Sequence, residues 1–193
     1  MADGYAKQLG PPLLLIVGGL MGSGKSTLAA ELANRFGIEV RSTDHIRRRM
    51  MGSSETPAGF GEGNYQLDMR SRVYDELFRD AGELLEDGQS VVLDGTFLTC
   101  ALRDRAYDLA SRRGAISLHV QCTCPRPIAY VRIKQRADTG QSESEARTEL
   151  YDLQAQDLEP PWADEPAISV DTTQLLSQQT QAVFDALRDR LVM

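Results

Sequence analysis

Two patterns of apolar and polar positions alternate along the chain. Leu13-Leu14-Leu15-Ile16-Val17 is a continuous apolar run. Its uniformity predicts a strand buried on both faces, as in a parallel sheet. Leu28, Ala29, Leu32, Ala33 and Phe36 then recur at helical spacing, and Gly37 ends that helix. A short strand is expected around Ile38 to Ser42. The Gly-, Ser- and Glu-rich stretch Gly52 to Gly63 reads as a mobile loop. Val73, Leu77, Phe78, Ala81, Leu84 and Leu85 mark a long amphipathic helix ending near Gly88, and Val91-Val92-Leu93 a second buried strand. A helix to about Gly114, a strand through Ile116, Leu118 and Val120, and a helix opened by Pro125 follow. Beyond a polar segment, Asp138 to Ser144, one more helix is broken at Glu159-Pro160-Pro161. Ala167 to Val170 is a last strand, and Val183, Phe184, Leu187 and Leu191 form the stripe of a closing helix.

Strand and helix in alternation, with about five strands, predict an α/β fold: a parallel sheet covered by helices on both faces. Residues 1–12, with Gly10, Pro11 and Pro12, read as an irregular lead-in, and residues 13–193 as one domain. No repeat or dividing linker interrupts it, and 193 residues suffice for one sizeable core.

The turn after the first strand carries the strongest chemistry. Gly19-Leu20-Met21-Gly22-Ser23-Gly24-Lys25-Ser26 fits G-x-x-x-x-G-K-[ST] at every position, Thr27 follows, and the motif lies between a buried strand and an amphipathic helix. Gly22, Ser23, Gly24, Lys25, Ser26 and Thr27 are therefore expected to wrap the phosphates of a nucleoside triphosphate. Backbone N–H groups and the positive end of the helix dipole converge there. Lys25 is expected to reach the β- and γ-phosphates and the Ser26 hydroxyl to ligate Mg²⁺, with ATP as the nucleotide. The bland alternative is a glycine-rich turn without a ligand.

In an open α/β sheet, ligands bind outside the carboxyl ends of the strands. Asp94 closes Val91-Val92-Leu93, the form of a Walker B segment, and is the second candidate Mg²⁺ group; otherwise it merely starts the turn at Gly95. Asp44 ends the second strand. It is either the cap of the next helix or the base that takes the proton of an acceptor hydroxyl. Arg47, three residues on, shares its helix face. Of the run Arg47-Arg48-Arg49, only Arg47 is placed to hold an anion near Asp44. Arg132 and Arg136, four apart, precede the polar segment from Ala137 to Gly140. A lid over residues 132–145 would bring Arg136 to the transferring phosphoryl group and Arg132 to the nucleotide; the alternative is a solvated arginine pair. Tyr65, Arg70 and Arg72 are weaker candidates for acceptor contacts, and Asp171 and Thr172 for the nucleobase.

Charge and composition narrow the partners. The net charge of -7 and pI of about 4.9 disfavour a general nucleic-acid coat, though not a small basic cleft. The apolar run at Leu13 is too short to span a bilayer, and the N-terminus reads as lacking a secretory signal. Cys100, Cys122 and Cys124 read as free thiols of a reducing compartment, so a cytoplasmic protein is expected. His45 and His119 are not at ligand spacing from the Cys-x-Cys pair.

Gly19 to Leu28, then Ser42-Thr43-Asp44 with Arg47, then Val92-Leu93-Asp94-Gly95-Thr96-Phe97-Leu98 together resemble a family of small bacterial AAA-type kinases. They belong with the P-loop kinases of the nucleotide- and shikimate-kinase type. Some carry an aminoglycoside-phosphotransferase-like domain with no counterpart in these residues. The same motif order is similar to the 5′-kinase domain of polynucleotide kinases. More distantly, it is similar to chloramphenicol phosphotransferase, gluconate kinase and zeta-type toxins. The resemblance runs from Leu13 to about Glu159-Pro160. It implies a five-stranded parallel sheet in the order 2-3-1-4-5. By the Asp-x-x-Arg motif of polynucleotide kinases it implies Asp44 as general base, assisted by Arg47, with lid arginines at Arg132 and Arg136. Thr96 stands where those kinases have Asn, a departure that weighs against a polynucleotide acceptor.

Three functions compete at this level. The first is transfer of the ATP γ-phosphate to an alcohol of a small molecule. The second keeps the chemistry with a nucleic-acid 5′-hydroxyl as acceptor, which the net charge and the lack of aromatic-basic interleaving disfavour. The third is a nucleotide-dependent switch or regulatory ATPase, or a toxin. A switch has no need of Asp44 and Arg47.

Overall fold

The computed structural model describes residues 10–51, 64–138 and 144–191. The elements run β1 (Leu13–Gly18), α1 (Lys25–Phe36), β2 (Glu39–Ser42), α2 (Thr43–Met51), α3 (Asn64–Glu86) and β3 (Val91–Asp94). They continue α4 (Cys100–Arg112), β4 (Ile116–Thr123), α5 (Arg126–Asp138), α6 (Ser144–Asp157), β5 (Ala167–Asp171) and α7 (Leu176–Leu191). The five strands pair in parallel in the order β2-β3-β1-β4-β5. The expected loop from Gly52 to Gly63 and the middle of the expected lid, residues 139–143, lie outside the described residues.

The uniform run at Leu13 has its explanation in the two faces of the sheet. Leu14 and Ile16 point into one core with Val91, Leu93, Val73, Leu77, Ala81 and Ala106, beneath α3 and α4. Leu15 and Val17 point the other way, into a core with Leu28, Leu32, Val92, Leu118, Val183 and Leu187, beneath α1 and α7. All four strand side chains are fully buried. Because successive strand residues face opposite sides, a central strand must be apolar throughout. Each such side chain contributes roughly 1.5–3 kcal/mol of burial. Edge strand β2 is polar by contrast, with Glu39 exposed and paired to Arg41.

Two boundaries differ from the sequence reading. Pro125 lies just before α5, and its carbonyl accepts from the N–H groups of Ile128 and Ala129, so it occupies the cap position rather than the first turn. At the start of α2, the cap is Ser42, whose Oγ accepts from the His45 N–H at 3.1 Å. Asp44 therefore does not cap the helix. It sits in the first turn with its side chain largely exposed.

Candidate active site

The loop between β1 and α1 is held open by its surroundings. Gly22 has φ +75°, and a Cβ there would lie 2.6 Å from the Ala129 carbonyl of α5. Gly19 is pressed onto β4, where a Cβ would meet the Cys122 carbonyl at 2.5 Å. The Cys-x-Cys pair thus serves as packing behind this loop; burial pushes the Cys122 thiol up to about 12. The Gly19 N–H donates to the Thr96 carbonyl and the Ser23 N–H to Leu20, which fixes the loop's entry. Gly24 stands at the cap position of α1 with no side chain to close it. Among the described residues the N–H groups of Gly22, Gly24, Lys25 and Ser26 meet no backbone acceptor. Those of Gly24, Lys25 and Ser26 mark the open N-terminus of α1, where anions bind.

Asp94 ends β3 directly beside Val17 of β1 and is only 8% exposed. Burial holds its carboxyl above the ordinary range, opposed by a hydrogen bond from the Ser26 hydroxyl and by the charge of Lys25. Asp44 raises it slightly and Arg136 lowers it. Lys25, Ser26, Asp44 and Arg136 therefore converge electrostatically on one carboxylate. Asp94 Oδ1 is buried and, among the described residues, has no hydrogen-bond partner. An orphaned carboxylate oxygen beside a hydroxyl suits a hard cation such as Mg²⁺, which takes oxygen ligands.

Asp44 and Arg47 come within 3.8 Å of each other on the outer face of α2. The arginine run divides there. Arg48 Nε donates to the Asp44 carbonyl, while Arg49 is drawn away to Glu76 and Asp80 of α3.

Arg132 and Arg136 border a cavity of about 310 Å³ together with Gly24, Thr27, Thr172 and Gln179. Arg132 donates from Nη1 to Thr172 Oγ1 at 2.9 Å and from Nη2 to the Thr172 carbonyl at 2.8 Å. Thr172 Oγ1 in turn donates to the Ser23 carbonyl at 2.6 Å, which ties the end of β5 to the phosphate loop. Asp171 turns elsewhere, accepting from the Thr173 N–H and hydroxyl. Gln154 of α6 accepts the Met21 N–H at 3.0 Å, a second clamp on the loop. Arg70 and Arg72 lie on α3. Tyr65 also belongs to α3, but its side chain lies outside the described residues.

Sequence reasoning missed the support behind Asp94. Phe97, three residues on, is a buried non-glycine residue with φ +46°. A left-handed bulky residue is a rare conformation that its surroundings must impose. Its N–H donates to Tyr74 Oη at 3.0 Å, and its carbonyl accepts from Arg103 Nη1 at 3.1 Å. Arg103 is itself 1% exposed and pairs through Nε with Glu165 at 2.7 Å. Tyr107 Oη donates to the same Glu165 oxygen at 2.8 Å. Burial favours the neutral acid at Glu165, but the hydrogen bonds from Arg103 and Tyr107 outweigh it and hold the carboxyl below its usual range.

Sheet order, phosphate loop and strand-end carboxylate define a P-loop protein of the nucleotide-dependent kinase type. The chain belongs to the AAA domain family designated AAA_33, whose model matches residues 14–161. The uncharacterized protein Rv2004c of Mycobacterium tuberculosis is 36% identical over 127 residues, covering 64% of this chain and 26% of that protein. The Mycobacterium bovis protein Mb2027c matches to the same extent, so the chain spans about a quarter of the length of these relatives. Among solved structures, a sugar kinase from Janibacter sp. aligns with TM-score 0.68 at 18% identity, covering 93% of this chain and 95% of that one. A gluconokinase from Sinorhizobium meliloti aligns with TM-score 0.64 at 20% identity, covering 93% of each. An APS kinase from M. tuberculosis, in complex with AMPPNP and APS, gives 0.61 at 20%, covering 92% of this chain and 98% of that one. At these identities the likeness is one of fold.

Proposed function

We propose that this chain transfers the γ-phosphate of ATP to an alcohol group of a small-molecule acceptor, with residues 13–193 acting as one kinase domain and residues 132–145 as its lid. The observation that carries this reading is that β2 and β3 end side by side, Ser42 paired with Asp94, so that Asp44, with Arg47 at 3.8 Å, opens α2 beside that buried carboxylate. A nucleotide switch needs the phosphate loop and Asp94; it has no use for a second carboxylate paired with an arginine at the mouth of the site.

In this account the N–H groups of Gly22, Gly24, Lys25 and Ser26 and the Lys25 ammonium bind the β- and γ-phosphates. Ser26 and Asp94 would hold Mg²⁺, which would screen phosphate charge. The cavity bordered by Arg132 and Thr172 receives the nucleoside. Asp44 accepts the acceptor's hydroxyl proton as that oxygen bonds to the γ-phosphorus and the bond to the β–γ bridging oxygen breaks, releasing ADP. Arg47 orients Asp44 and the acceptor, and Arg136 meets the charge spread over the transferring phosphoryl oxygens. With ATP as donor, the reaction belongs in the cytoplasm. No helix among the described residues is long and apolar enough to cross a membrane.

The test is incubation with ATP, Mg²⁺ and a panel of sugars, aminoglycosides, nucleosides and a 5′-hydroxyl oligonucleotide, read by mass spectrometry. A phosphorylated small molecule supports the reading. Product on the oligonucleotide alone would shift it to a nucleic-acid kinase, and tight ATP binding without any product would overturn it in favour of a switch.

A further inference from the structure

The turn from Asp94 to Leu98 joins the two parts of the candidate Mg²⁺ site, the phosphate loop that leads to Ser26 and the strand end that carries Asp94. On the loop side, the Gly19 N–H donates to the Thr96 carbonyl at 3.1 Å, and the Gly95 N–H donates to the Val17 carbonyl at 3.3 Å. On the opposite side, Thr43 Oγ1 at the start of α2 donates to the Asp94 carbonyl at 3.4 Å. The turn is tightly enclosed: a Cβ on Gly95 would lie 3.0 Å from Thr43 Cγ2 and 3.2 Å from Tyr74 Oη.

Phe97 in this turn has φ +46°, and among the described residues no other non-glycine residue sits at positive φ. Its side chain and its carbonyl are both anchored. The ring is 1% exposed and stands edge-on to the Tyr74 ring, with centroids 5.3 Å apart, and Arg103 Nη1 holds the carbonyl. Relaxing φ toward the ordinary negative range would therefore swing the rigid Thr96–Phe97 peptide, not the Phe97 side chain. That swing would turn the Thr96 carbonyl away from the Gly19 N–H. The Tyr74 hydroxyl stands against it. It accepts from the Phe97 N–H at 3.0 Å and shares a hydrogen bond with Thr96 Oγ1 at 3.2 Å. Tyr74 is itself only 3% exposed, on a helix fastened to α2 through Arg49 with Glu76 and Asp80.

We infer that Tyr74 is a positioning residue for the metal site: its hydroxyl holds the Thr96–Phe97 peptide in the orientation that keeps the phosphate loop and Asp94 in register. This rests on the reading of Ser26 and Asp94 as the Mg²⁺ ligands above and is independent of the acceptor. Tyr74 acts through the turn and touches neither nucleotide nor metal. Nucleotide bound without metal rests on the phosphate loop alone and depends little on this hydroxyl. Mg²⁺ tolerates little departure from octahedral geometry, so it needs the loop and the strand end in register.

Calorimetry on the full chain tests this. A non-hydrolysable ATP analogue is titrated, with Mg²⁺ and separately with EDTA, into wild type, Tyr74→Phe and Leu85→Val. Tyr74→Phe keeps the ring and removes only the hydroxyl, whereas Leu85→Val loosens the same core at the other end of α3. Mg²⁺ is expected to tighten binding to wild type. Tyr74→Phe is expected to cut that gain about tenfold, with metal-free affinity changed less than about threefold. Leu85→Val is expected to lower the melting temperature and leave the gain intact. Four results would each overturn the inference: an unchanged gain in Tyr74→Phe, an equal loss with and without Mg²⁺, the same reduced gain in Leu85→Val, or a wild type whose affinity ignores Mg²⁺. Failure to phosphorylate any alcohol would remove the kinase reading and leave this result standing, because the titration involves no transfer.

Discussion

Thr172 Oγ1 donates to the Ser23 carbonyl at 2.6 Å while accepting from Arg132 Nη1 at 2.9 Å. One hydroxyl at the end of β5 thus fastens the phosphate loop to the arginine that borders the nucleoside cavity. Thr172→Val keeps the shape and removes both bonds. It leaves the Ser23 carbonyl without its partner and Arg132 Nη1 with only the Gly22 carbonyl at 3.4 Å, at about 1–3 kcal/mol. We expect KM for ATP to rise about tenfold, a change of 1.4 kcal/mol, with a smaller effect on kcat, measured by steady-state kinetics.

Asp94 carries a different conflict. Its carboxyl is buried with an orphaned Oδ1, and burial works against its charge. Asp94→Asn should therefore raise the melting temperature of the ligand-free protein by a few degrees, roughly 1 kcal/mol, while removing turnover. It should also remove the thermal stabilisation that Mg²⁺ adds to bound ATP. A destabilised ligand-free variant would mean that Asp94 is a structural residue rather than one held ready for a cation.

The framework of this site was legible in the chain before any coordinates. Leu14 to Val17 had to be central because no half-exposed strand is apolar at four consecutive positions, and Gly22 to Ser26 sit where the motif demands strand before and helix after. Periodicity could not show that Ser42, rather than Asp44, caps α2, since both are good caps two residues apart. It also could not show Arg103 joined to Glu165, 62 residues away. A charged pair in the core leaves no local pattern; only the finished sheet brings α4 to the segment before β5. Gln154 and Gln179 were missed for the same reason. The one local sign was Glu165 ahead of the apolar strand from Ala167, which reads equally well as a solvated turn residue.

Breaking that buried pair should be costly. Glu165→Gln leaves the Arg103 charge uncompensated, and chemical denaturation should show a loss of about 3–5 kcal/mol. Replacing both residues, Arg103→Met with Glu165→Leu, should lose less than the single change. Because Arg103 also holds the Phe97 carbonyl, both variants should lower kcat more than they weaken ATP binding. Unchanged kcat in a folded variant would detach the pair from the site.

His119 makes the fold sensitive to acid. Burial lowers its pKa to about 4 from an ordinary 6.5, against the pull of Glu165. Below pH 6.5 the unfolded chain takes up a proton that the folded chain refuses until about pH 4. Stability from this group is thus full above pH 6.5 and is lost as pH falls toward 4, on the order of 3 kcal/mol in all. Melting temperature should drop across that window, and His119→Gln, though less stable at pH 7, should show a flatter slope. A slope unchanged by the substitution would assign the acid sensitivity to other groups.

The central claim is that Asp44 takes the proton of an acceptor alcohol while the phosphate loop holds ATP. The most direct measurement is the rate of ATP-dependent product formation by Asp44→Asn, beside ATP affinity measured by calorimetry on the same protein. The account predicts a fall in kcat of about 10²-fold or more with ATP affinity changed less than threefold. Full product formation by Asp44→Asn would contradict it, leaving Asp44 a surface residue of α2 and the proton acceptor elsewhere in the site.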